Sequence, residues 1–145
     1  MDIISCVCSI VNLLKNSCPR KPKLEIHFKD GKSTCYSTNS YSFYLTFLLS
    51  NGKGSKSTSL VDWKIAFKDM RYEPDDLHIM PESSPQIIDI PDGNARELKV
   101  FGAVRFQGIE IHELKGRLFL KFSNGKRNTC EFCVKIKDEV TTVPL

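Results

Sequence analysis

A chain of 145 residues with 41% hydrophobic and 26% charged side chains is the size of one globular domain, long enough to bury about two-thirds of the surface its unfolded form exposes. That balance excludes wholesale disorder and a multi-span membrane protein. The net charge of +4 is unevenly spread: residues 62 to 97 carry four basic and nine acidic side chains, whereas residues 105 to 137 carry eight basic and three acidic ones.

The most hydrophobic stretch runs from Ile3 to Leu14, about 12 residues against the roughly 17–25 that a membrane-spanning helix needs. Ile3, Val7, Ile10 and Leu14 share one face at helical spacing, with Ile4 and Val11 beside them, so a short apolar helix is expected within residues 1–18. Its many β-branched residues leave a strand as the competing form. Lys15, Arg20, Lys21 and Lys23 follow among two prolines, and residues 19–23 read as a basic linker. The apolar face has to be buried on its own domain, against a second copy or protein partner, or in a membrane surface, where the cations would favour anionic headgroups. The candidate contact residues are therefore Ile3, Val7, Ile10, Leu14, Lys15, Arg20 and Lys21. No basic region precedes the apolar run and no Ala-x-Ala site follows it, so a secretory signal is not read. The six cysteines are then expected to stay reduced in a cytoplasmic setting, with peripheral membrane association as the variant.

Residues 24–138 carry period-two alternation, the mark of strands with one buried face. Leu24, Ile26 and Phe28 predict a first strand ended by Asp30-Gly31. Tyr41, Phe43, Leu45, Phe47 and Leu49 predict a second, longer one. Asn51 to Ser57 reads as an exposed loop, since Gly, Asn and Ser favour turns. Val61, Trp63, Ile65 and Phe67 predict a third strand with the tryptophan inward. Prolines 74, 81, 85 and 91 interrupt the next region, where a short strand is expected around Ile87 to Ile90. After a Pro91-Asp92-Gly93 turn, Leu98, Val100, Val104 and Phe106 predict a strand bulged near Gly102, and Ile109, Ile111 and Leu114 bridge to the last pair. Leu118, Leu120 and Phe122, then Cys130, Phe132, Val134 and Ile136, form a hairpin turning at Asn124-Gly125. Residues 139–145 are left as a tail.

These strands, the tryptophan in the third and the closing hairpin resemble the immunoglobulin-like and fibronectin-like sandwiches of many uncharacterised prokaryotic proteins. The resemblance spans about residues 22 to 138 and lacks the cysteine pair of antibody domains. It implies an all-β, two-sheet antiparallel sandwich, here preceded by the short apolar helix, and it carries over no catalytic or binding residue.

Chemistry-bearing motifs are sparse. Cys130 and Cys133 have Cys-x-x-Cys spacing, but residues three apart on a strand face opposite sides, so the pair should not share a metal. His27, His78 and His112 form no ligand pattern, and no nucleophile signature accompanies them. Asp75, Asp76, Glu73 and Glu82 lack the alternating calcium-loop spacing. Gly52 to Ser57 misses the phosphate-loop spacing and lies between two strands. Lys121, Lys126, Arg127, Lys135 and Lys137 share the exposed side of the hairpin with Phe119. The overall isoelectric point is nonetheless below the range of dedicated nucleic-acid binders. The sequence therefore predicts a non-enzymatic binding or interaction module with no catalytic residue, cofactor or metal; metal or nucleic-acid binding is the alternative.

Overall fold

Alternating apolar side chains become strand where a facing surface exists to bury them. The computed structural model describes residues 23–68, 76–106, 108 and 110–138. Eight strands follow one another: β1 (Leu24–Ser37), β2 (Ser40–Asn51), β3 (Thr58–Phe67), β4 (Asp76–Ile79), β5 (Ile88–Ile90), β6 (Ala95–Arg105), β7 (Glu113–Phe122) and β8 (Arg127–Asp138). No helix occurs among the described residues, and the apolar segment expected at 1–18, the linker up to residue 22 and the tail at 139–145 lie outside them.

Hydrogen bonds join the strands in the order β4-β6-β2-β1-β8-β7-β3-β5, one curled mixed sheet in place of two separate antiparallel ones. Each four-stranded half is antiparallel. The halves meet where β1 and β8 run the same way and share a parallel ladder, Ser33–Cys35 against Ile136–Asp138. Curling brings the inner faces together. Phe43 on β2 lies 5.0 Å from Phe67 on β3, and Phe47 lies 5.9 Å from Phe132 on β8, ring centre to ring centre. Tyr41, Phe43, Leu45, Phe47 and Leu49 are all buried, as their alternation predicts.

Three local readings change. Asp30-Gly31 does not end the first strand; β1 continues through a bulge between Phe28 and Asp30. The glycine serves packing there, since a Cβ at Gly31 would lie 2.9 Å from side-chain atoms of Leu45, Phe28 and Val134. Gly102 is not bulged: it pairs regularly with Phe43 and Ile79, and a Cβ would come within 2.1 Å of the His78 carbonyl oxygen. The bulge falls instead between Leu60 and Asp62, which buries Leu60 and leaves Val61 and Trp63 only half-buried.

The turns show why these segments reverse. Ser123-Asn124-Gly125 forms a three-residue hairpin loop, with Phe122 N–H donating to the Lys126 carbonyl and Gly125 N–H donating to that of Phe122, both at 2.9 Å. Only Gly125 takes positive φ, at 85°, so the connection is not a two-residue Asn-Gly turn. The loop after β2 is less exposed than its composition predicts. Asn51 and Ser55 are buried, because the Asn51 amide donates to the Lys56 and Ile90 carbonyls and Ser55 Oγ accepts from Lys23 N–H.

Candidate functional site

Because side chains alternate along each strand, burying Leu114, Gly116, Leu118, Leu120 and Phe122 of β7 turns Lys115, Arg117, Phe119 and Lys121 to the outside. The register then assembles a face from three strands. Asp62, Lys121 and Arg127 stand in one row; Lys64, Phe119 and Thr129 in the next; Ala66, Arg117 and Glu131 in a third; Lys115 and Cys133 beyond, with Lys68 held beside Lys115 by its backbone. Lys135 pairs with Glu113 at the far end.

The acidic side chains here are largely occupied. Arg117 donates to Glu131, and Lys115 Nζ lies 3.2 Å from Glu113. Those contacts, hydrogen bond first and charge second, hold both carboxyls below the usual carboxylate range. Asp62 accepts the Gln86 side-chain amide at 3.1 Å. Lys64, Lys68, Lys121, Arg127 and Lys135 form no ion pair among the described residues. Lys64 Nζ sits 5.3 Å from the centre of the half-buried Phe119 ring. That ring lines a hollow of about 420 Å³ together with Asp62, Lys64, Lys121, Arg127 and Thr129.

A larger cleft, about 570 Å³, opens on the opposite half over the β1 bulge, between Lys29, Lys32, Tyr44, Thr46, Glu97 and Lys99. Two of its three lysines share one carboxylate: Lys29 donates to Glu97, and Lys99 Nζ lies 3.9 Å from the same group.

The structure separates the remaining candidates. Cys130 is half-buried on the inner side and Cys133 exposed on the outer, as alternation predicts, so they share no coordination sphere. Burial pushes both thiols up, and the Glu113 carboxylate adds to the shift at Cys133. His27, His78 and His112 are exposed on different segments, and no group of three metal-ligating side chains occurs among the described residues. Gly54 and Ser55 amides, the part of the glycine loop a phosphate would need, donate to Asp92 Oδ1 at 2.7 and 3.1 Å. Asp76 begins β4, a strand that proline spacing hides. Ile3, Val7, Ile10, Leu14, Lys15, Arg20 and Lys21 lie outside the described residues.

The hairpin's alternation alone places Lys121, Lys126, Arg127, Lys135 and Lys137 on its exposed side with Phe119. That reading does not place Lys64 and Lys68 beside them, which takes the pairing of β3 with β7, and it omits Lys115, which shares the outward phase of β7. The signal for Lys64 and Lys68 was the outward phase of β3, opposite Ile65 and Phe67, and that for Lys115 the outward phase of β7.

No protein-family model matches this sequence, and no curated protein matches it. Solved structures do. A FixG-related protein from Vibrio parahaemolyticus superposes with a TM-score of 0.52 at 11% identity, over 81% of this chain and 98% of that one. A target of the Northeast Structural Genomics Consortium gives 0.49 at 12% identity, over 83% and 90%. The apo PCuAC domain from PmoF1 gives 0.42 at 14% identity, over 83% and 98%. The first of these likenesses establishes a shared β-rich fold.

Proposed function

We propose that the protein is a non-enzymatic binding module of immunoglobulin-like sandwich type, which holds an acidic macromolecular partner on the outer face of β3, β7 and β8. The two antiparallel halves packed through Phe43, Phe47, Phe67 and Phe132 support the architecture. One observation carries the binding reading: Lys64, Lys121 and Arg127, which form no ion pair among the described residues, line a hollow with the aromatic ring of Phe119 on the outer face of one sheet.

Retention on heparin, a generic polyanion, tests the face. Reversing Lys121 and Arg127 to Glu should lower the salt needed for elution severalfold, while reversing Lys32 and Lys53, which changes net charge equally, should shift it little. Equal shifts would mean that overall charge alone acts, and would overturn the reading.

The apolar stretch from Ile3 to Leu14 supports a second contact on the same module, with a protein partner or second copy, or with a membrane surface through Lys15, Arg20 and Lys21. Solution mass by light scattering should then show a defined oligomer that substituting Val7 and Ile10 by Ser dissolves. A monomeric full-length chain that also fails to float with anionic vesicles would remove this contact.

A further inference from the structure

We infer that the partner of the basic face is single-stranded nucleic acid, with one base stacked on Phe119 and the flanking phosphates carried by Lys64, Lys121 and Arg127. This rests on the binding-module reading above and names its ligand. Bulk composition points away from nucleic acid, but the register concentrates on three strands a charge that composition averages over the whole chain.

The geometry selects among polyanions. Phe119 lies in the middle of the face, between Lys64 on one neighbouring strand and Thr129 on the other, with Lys121 two residues along. Every nucleobase has a π-face, so an aromatic ring set in a cationic sheet takes unpaired bases with little regard to sequence. Outward side chains on one strand recur about every 6.7 Å, and neighbouring strands lie about 4.8 Å apart, a mesh fine enough for successive phosphates to meet successive cations. The hollow beside the ring, about 420 Å³, gives a base room to lie flat. Lys64, now over the ring, is on a flexible stem and can exchange the π-face for a phosphate.

A duplex fits poorly, because its bases are already stacked and this face offers a plane rather than an element that enters a groove. An anionic membrane fits poorly too. Among the described residues the large exposed apolar side chains, Tyr36, Tyr44, Met80 and Ile87, lie on other strands and loops, so none of them forms an apolar wedge beyond the cations.

The test uses full-length protein and fluorescein-labelled oligothymidylate, read by anisotropy, with duplex of equal length and heparin as comparators. Phe119→Ala should weaken oligothymidylate binding about five- to a hundredfold, Phe119→Trp should restore it, and heparin retention should stay unchanged, which also shows that the face remains folded. Lys121→Glu should weaken both probes and flatten the salt dependence of oligothymidylate binding. Oligothymidylate binding that is indifferent to Phe119, or duplex binding of equal strength, overturns this inference and leaves the polyanion face standing. Failure of both oligothymidylate and heparin to bind overturns the two together.

Discussion

Truncating Phe47 to alanine should cost about 3–5 kcal/mol, the loss expected when a fully enclosed ring is removed and its surroundings only partly collapse. Phe47 is 0% exposed. Its ring lies 5.5 Å from Phe28 and 5.9 Å from Phe132, and Phe132 in turn lies 5.6 Å from Phe67, so Phe47 joins β2 to β1 and β8, and Phe132 extends the link to β3. A domain of ordinary stability holds only about 5–15 kcal/mol in total. Phe47→Ala should therefore unfold at far lower urea than the parent, with a similar slope, whereas Phe47→Leu, which keeps most of the volume, should lose roughly 1–2 kcal/mol. An alanine variant within 1 kcal/mol of the parent would mean, on the scale of large-to-small core substitutions, that the four rings are not one packed unit.

Gly102→Ala should be the next most damaging change, at about 3 kcal/mol, for the opposite reason. The added methyl would sit 2.1 Å from the His78 carbonyl oxygen, and backbone cannot swing aside as a side-chain tip can. Relief requires β4 to part from β6, at whose expense the four pairs from Asp76–Arg105 to Ile79–Gly102 would open. Gly54→Ala makes the control. It has positive φ, at 83°, and nothing within 4 Å, so it meets only the conformational cost of about 1 kcal/mol. Paired urea titrations, with hydrogen exchange at His78 and Ile79, separate the two; equal losses would show that β4 moves freely.

The second strand was legible because Tyr41 to Leu49 keep a strict period of two with an apolar neighbour on the inner side at every step. The closing hairpin was legible for the same reason, although its loop is one residue longer than an Asn-Gly turn. Gly31 misled, because a glycine next to an aspartate is the ordinary mark of a turn, and its role here is to make room for Leu45 of the neighbouring strand and for Val134, about a hundred residues further along. β4 was hidden: Asp76-Leu77-His78-Ile79 is too short for periodicity to stand out among acidic residues and prolines. The basic face was half legible. Lys121 and Arg127 sit together on one hairpin, where register is local, whereas Lys64 meets Phe119 across strands about 55 residues apart in sequence, a juxtaposition that no local pattern encodes.

The parallel ladder between β1 and β8 has a kinetic consequence. Ser33 finds Ile136 about a hundred residues further along the chain, so this seam can close only after nearly every other strand has been made, and closure carries the loop entropy of the whole fold. Folding should accordingly fall in the millisecond-to-second range typical of sheets built on distant pairings. Until the seam closes, the edges of β1 and β8 remain open to the wrong neighbour, which makes a newly synthesised chain most prone to aggregate in the interval before its last strand docks.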